Sequence, residues 1–145
     1  MAESPSWVFD TNILVSGLLS ALAPPGRLVD MLVARHLRIT LDDRIEAEYR
    51  EVLARPRFAI ELARLEAFLA VMSFQDQVTC LPWAGRLPPD IDDVMFLEAA
   101  LASAEAILVT GNIRHFPTAC RGLVRVLSPR EAWDLFIERI GAQAI

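Results

Sequence analysis

The sequence predicts a three-layer α/β/α fold, one domain over residues 1–145 with a central parallel sheet of about five strands. Short apolar runs alternate with amphipathic stretches along the whole chain, the rhythm of strands separated by helices of about 10–15 residues. The run Ala106-Ile107-Leu108-Val109 has no polar position, as a strand covered on both faces requires. At 145 residues, 54% of them hydrophobic, the chain can fill one core and is not disordered as a whole.

The elements follow in order. Trp7-Val8-Phe9-Asp10 reads as the first strand, running into a helix around Ile13 to Leu22. Pro24-Pro25-Gly26 punctuates the chain before a helix from Arg27 to about His36, and Leu37 to Leu41 is a second strand. Asp42 or Asp43 caps a helix that stops near Arg55, ahead of Pro56. Ile60, Leu62, Leu65, Phe68, Leu69 and Met72 recur at helical intervals, predicting a helix from Phe58 to about Phe74. Val78 to Leu81 is a short strand, and a Pro-rich joint from Pro82 to Pro89 follows. Asp92 opens a helix ending near Glu105, Leu123 to Leu127 gives the last strand, and Ser128 with Glu131 forms a capping box on the final helix.

The net charge of −5 argues against a protein that coats nucleic acid by bulk positive charge. All 14 basic residues are arginine, whose planar fork suits phosphate and carboxylate alike. Cys80 and Cys120 have neither CxxC spacing nor histidines at zinc-finger intervals, and read as buried thiols of a reducing compartment. No stretch is long and apolar enough to span a bilayer, and Glu3 and Asp10 do not suit a signal peptide. The expectation is a cytoplasmic protein with no membrane partner.

Parallel sheets place their chemistry beyond the carboxyl ends of the strands. Asp10 stands there, although an Asp after a strand is often a helix cap. Glu48 shares a helical stripe with Ile45, Tyr49, Val52 and Leu53, so it turns toward the core, where a carboxylate needs a cation or an arginine such as Arg44 or Arg27. Asp93 shares a face with Leu97, Ala100 and Leu101, and Asp90 and Asp92 crowd the same helix start. A helix dipole accommodates one or two of these acids; a divalent cation would relieve the excess. All-oxygen ligands select hard ions, Mg²⁺ or Mn²⁺, over zinc. Asp10, Glu48 and Asp93 are the candidate metal ligands and catalytic residues.

Around them, Thr110 and Asn112 follow the apolar strand at the same sheet edge. His115 is a lone histidine in the next loop. Arg114, Arg121 and Arg125 make one basic group and Arg50, Arg55 and Arg57 another; Arg50 and Arg114 are taken as candidate nucleic-acid contacts. Phe58, Trp83 and Phe116 suit base stacking but fit equally as core or lid.

Val-Phe-Asp-Thr-Asn at 8–12, Glu-Tyr-Arg-Glu-Val-Leu at 48–53, Asp-Asp-Val-Met-Phe-Leu-Glu at 92–98 and Leu-Val-Thr-Gly-Asn at 108–112 resemble the successive motifs of PIN domains. The resemblance covers nearly the whole chain and is closest to the branch described as toxin components of toxin–antitoxin pairs. It implies a PIN-like, Rossmann-like sandwich and an endoribonuclease that cuts single-stranded RNA with carboxylate-bound Mg²⁺ or Mn²⁺. By position, Asp10, Glu48 and Asp93 match the first three acids of the family's site, with Thr11, Asn12, Asp92, Thr110 and Asn112 in support. Many members place a fourth acid after the Thr-Gly pair, where this chain has Asn112. An amide ligates without adding charge, so one well-held metal at Asp10 and Asp93 is expected. The resemblance also implies an inhibitory antitoxin protein, and the apolar helices at 58–74 and at Trp133, Phe136 and Ile140 imply a homodimer or higher homo-oligomer.

Two rival readings remain. An aspartyl phosphatase would also use Asp10, but it places a second acid two residues on, where Asn12 stands, and a lysine, which this sequence lacks. A catalytically weak or inactive PIN-like module that binds RNA or protein is favoured by Asn112 and the acidic balance.

Overall fold

The computed structural model describes residues 4–72 and 75–143. Its centre is a five-stranded, all-parallel sheet in the order β3-β2-β1-β4-β5, built from β1 (Ser6–Phe9), β2 (Arg38–Leu41), β3 (Asp76–Gln77), β4 (Ile107–Val109) and β5 (Arg125–Leu127). Helices α1 (Thr11–Leu19), α2 (Pro24–Val33), α3 (Asp43–Leu53), α4 (Leu62–Val71), α5 (Val94–Ala102) and α6 (Pro129–Gln143) complete the three layers. Trp7, Val8 and Phe9 of β1 and all three residues of β4 are fully buried, because a central parallel strand has helices on both faces and no side facing water. α2 packs against α1, α4 and α6, while α5 lies on β1, β2 and β4 and meets α3.

The strand order makes one feature that matters for function. From β1 the chain winds outward through β2 and β3, then returns to the other side of β1 as β4 and β5. The reversal opens a crevice between the carboxyl ends of β1 and β4, the topological switch point where sheets of this kind bind ligands. Asp10 and Thr110 are the residues immediately after those two strands. Their backbones are still pinned, Asp10 N–H donating to Val109 O at 2.9 Å and Thr110 N–H to Leu127 O at 3.0 Å.

α1 and α2 meet at a 94° bend and approach closely through two glycines. A Cβ on Gly17 would stand 2.6 Å from Pro25 O, and one on Gly26 would stand 2.6 Å from the carbonyl carbon of Ala21. Both contacts are with backbone, so only a hydrogen fits there.

Several elements are shorter than the sequence predicts, each for a local reason. The first helix ends at Leu19 instead of Leu22, before the residues that turn into Gly26. The helix expected from Phe58 splits, because Pro56–Phe58 forms a 3₁₀ turn closed by Ala59 in the left-handed region (φ 49°) and α4 starts only at Leu62. Its expected end at Phe74 lies outside the described residues. The third strand is the polar pair Asp76–Gln77, upstream of the apolar Val78–Leu81. Ile91–Asp93 is a 3₁₀ turn, so α5 starts at Val94; it ends at Ala102, where Ser103 Oγ donates to Ala100 O at 2.7 Å.

The capping box at the last helix forms as expected: Ser128 N–H donates to Glu131 Oε1 at 2.9 Å and Glu131 N–H to Ser128 Oγ at 3.1 Å. Ser128→Ala is expected to cost about 1 kcal/mol in urea unfolding without affecting the rest of the fold. Among the described residues no single helix is long and apolar enough to cross a membrane. Cys120 is buried, whereas Cys80 is half-buried with its thiol 3.5 Å from Asp42 Oδ2.

Candidate active site at the sheet edge

Asp10 is 7% exposed and occupies the position before α1, yet its side chain makes no capping hydrogen bond. Its Oδ2 instead accepts from Thr110 Oγ1 at 2.8 Å, across the switch point, and from Asn12 Nδ2 at 3.4 Å. Thr110 is fully buried, and its hydroxyl also accepts from Asn112 N–H at 3.0 Å. Asn12 Oδ1 takes Gly111 N–H at 3.3 Å, tying the first and fourth motifs together a second time. Burial raises the Asp10 carboxyl above its ordinary value, against the pull of Thr110, the Asn12 and Thr11 amides and His115.

Glu48 sits half-buried on α3, where its Oε2 accepts the hydroxyl proton of Thr11. Neither arginine considered for it is its partner. Arg44 pairs with Asp42 and Glu98, and Arg27 lies over the Trp133 ring. One residue along, the fully buried Tyr49 hydroxyl donates to Phe9 O and so ties α3 to β1. Burial pushes that hydroxyl's pKa well up, and the charges of Asp10 and Glu48 push it further, which places both carboxylates around one side chain.

Asp93 is the most perturbed acid of the site. Burial, then the charges of Asp10 and Asp90, raise it to about 6; His115 opposes this and Glu48 adds to it. Its Oδ2 is buried with no hydrogen-bond partner, the one such side-chain atom among the described residues, and His115 Nδ1 lies 3.5 Å from it. Its crowded neighbours have ordinary explanations: Asp90 Oδ1 caps the turn by accepting Asp92 N–H at 2.9 Å, and Asp92 is exposed. Asp93 itself precedes α5 without capping it.

Asp10, Glu48 and Asp93 therefore lie at one end of the sheet, and the charges of Asp10 and Glu48 both bear on Asp93. As they stand, no three His, Cys, Asp or Glu side chains among the described residues close on a point that would enclose an ion. Asn112 is exposed at the rim, its N–H on Thr110 and its carbonyl accepting His115 N–H. Arg114 is exposed beside it, while Arg50 is exposed on α3 and engaged with Glu46 Oε2 at 3.2 Å. Of the aromatic candidates, Phe116 is wholly core, Trp83 packs against the core, and Phe58 stacks under Arg57 at 4.9 Å.

One residue of consequence was not singled out from the sequence. Glu98 is 8% exposed, inside a helix whose Phe96, Leu97, Ala99 and Ala100 are all buried. A carboxylate in the middle of an otherwise apolar helix is the signal that could have found it.

Residues 6–114 match the PIN-domain family, a span that takes in the four motifs and the carboxyl ends of β1 and β4. Comparison with curated proteins finds no match, and neither does comparison with solved structures.

Proposed function

The chain belongs to the PIN-domain family, whose members are generally nucleases, and from that membership we propose that it is an endoribonuclease hydrolysing RNA phosphodiester bonds with Mg²⁺ or Mn²⁺. The observation that carries the reading is Asp93 Oδ2, a buried carboxylate oxygen with no hydrogen-bond partner, whose carboxyl is raised to about 6 first by burial and then by the charges of Asp10 and Asp90. A group so placed is destabilising unless a cation meets it.

Asp10 and Asp93 would hold the ion, and Glu48 would join them. A hard divalent cation bound there would supply Lewis acidity for the phosphodiester. The chain's own residues prepare the site. Thr110, itself oriented by the Asn112 N–H, fixes the rotamer of Asp10. Thr11 does the same for Glu48. Arg114, exposed at the rim, is the candidate contact for an RNA phosphate.

The finer reading is the toxin-like member of a toxin–antitoxin pair, supported by the branch of the family that the four motifs resemble. An antitoxin protein would then cover the acidic crevice. Leu62, 66% exposed on α4, and the exposed Ile137 and Ile140 on α6 support a homodimer; Phe68 and Phe136 on the same helices are spent on the core.

The test is cleavage of labelled single-stranded RNA by the full chain with Mn²⁺, Mg²⁺ or a chelator. The expected result is metal-dependent cutting that falls about 100-fold or more in Asp10→Asn. The second reading, a binding module without catalysis, is favoured by the neutral Asn112 at the fourth position; identical traces from wild type and Asp10→Asn would leave only binding, or a contaminating nuclease, and would remove catalysis from this site. Asn112→Asp would restore a charge at the rim, and calorimetry is expected to show Mn²⁺ bound about tenfold more tightly. Unchanged affinity would remove Asn112 from the site.

A further inference from the structure

We infer that Glu98, acting through Arg44, is a positioning residue for the candidate active site: it locks the helix that carries Glu48 to the helix that starts at Asp93. The inference rests on the nuclease reading and names a residue outside its proposed ligand set.

Both oxygens of the buried Glu98 are committed to different parts of the fold. Oε1 accepts from Arg44 Nη1 at 2.8 Å, reaching from α5 to α3. Oε2 accepts from Trp83 N–H at 2.7 Å, anchoring the segment that leads into Asp93. Arg44 is committed as well: its Nη2 and Nε lie 2.7 and 2.9 Å from Asp42 Oδ2, and Asp42 Oδ1 caps α3 by accepting Ile45 N–H at 3.1 Å. The start of α3, the middle of α5 and the loop before Asp93 are thus joined by one connected set of bonds.

Its place along the helices gives this set its function. Arg44 and Glu48 are four apart on α3, one turn from each other on the same face. Glu98 is five residues beyond Asp93. Glu48 on α3 and Asp93 ahead of α5 are both carboxylates, and like charges meeting at one site favour separation of the helices that bear them. An opposite-charge pair one turn away resists that separation. Glu98 is buried but the Arg44 side chain is 47% exposed, and an ion pair open to solvent on one side adds little stability, so stability alone does not account for placing one here. Holding two repelling acids in readiness for a cation does, and groups that orient ligands in this way govern metal affinity.

The test compares wild type with Arg44→Met, Arg44→Lys and Glu98→Gln, each as the full chain and each checked for folding by circular dichroism. Mn²⁺ affinity is read by calorimetry, and kcat and KM for RNA are read separately. Arg44→Met is expected to bind Mn²⁺ about tenfold more weakly and to lose activity in kcat rather than in RNA KM, with Arg44→Lys recovering part of both. Glu98→Gln keeps an acceptor for Trp83 N–H and stays folded if Arg44→Met does not; it is expected to lose affinity in the same direction. Glu105→Gln is the control. It removes the charge of the Arg139 pair while leaving one amide oxygen to accept from Trp7 Nε1 or Arg139, lowering stability without changing Mn²⁺ affinity. Folded Arg44 and Glu98 variants with wild-type Mn²⁺ affinity and wild-type kcat would overturn this inference alone. A wild-type chain that neither binds Mn²⁺ nor cuts RNA would overturn the nuclease reading, and this inference with it.

Discussion

Asp93→Asn is expected to make the protein more stable and to abolish its chemistry. The ordinary carboxyl value of 3.8 is raised to about 6 in the fold, so folding disfavours the ionised form. The linkage runs opposite to that of a salt-bridged acid. Asp93 detracts nothing below pH 3.8, where it is protonated folded or unfolded; its cost grows as pH rises toward 6 and is complete above that. Asparagine keeps the shape and removes the charge. Allowing for solvent screening on the open side of the group, the gain near neutral pH is about 1 kcal/mol. Thermal melts at pH 7.5 in chelator should therefore place the variant above wild type. Millimolar Mn²⁺ should reverse the order, since binding to the folded state at a hundred times Kd adds about 2.7 kcal/mol, and only wild type has the ligand. RNA cleavage should fall about a thousandfold in the variant and, in wild type, should decline as pH drops through 6. A variant less stable than wild type in chelator, or one that Mn²⁺ still stabilises equally, would remove Asp93 from the site.

Gly26→Ala is the substitution expected to damage the fold most. The new methyl group would stand against the Ser20 carbonyl oxygen and within 2.6 Å of the Ala21 carbonyl carbon, and neither can rotate away as a side-chain end could. The chain between α1 and α2 would have to move, and α2 carries Leu28, Val29 and Leu32 in the core. Overpacking against rigid backbone costs about 3 kcal/mol, a large part of a small domain's stability. Equilibrium urea unfolding reads it directly. Because α1 begins at Thr11, beside Asp10, the same variant should also weaken Mn²⁺ binding. A midpoint within error of wild type would mean that the corner is less tightly closed than described.

The parts of the fold read correctly from sequence are those where burial dominates. Ile107-Leu108-Val109 has no polar position, and a parallel central strand is the structure that wants none. Glu48 on the stripe of Ile45 and Tyr49 betrays itself by the opposite reasoning, as an acid where the pattern demands an apolar residue. Local backbone geometry was less legible. Ala59 (φ 49°) and Ala106 (φ 53°) adopt the left-handed region without glycine or asparagine to announce it, so the break before α4 and the late start of β4 carried no signal. β3 escaped because pairing with β2, rather than alternation, selects Asp76–Gln77. Glu98 was in plain view inside the third motif, but its two partners, Arg44 and Trp83, lie 54 and 15 residues away and only the folded chain brings them together.

Asp10 and Thr110, joined by one hydrogen bond, are 100 residues apart in the chain. During synthesis β1, α1 and α3 leave the ribosome long before β4, and until β4 docks there is neither a crevice beside Asp10 nor a hydroxyl to orient it. Loop closure over that span comes late in folding. On the nuclease reading proposed above, the site is therefore incomplete until most of the chain's length has emerged.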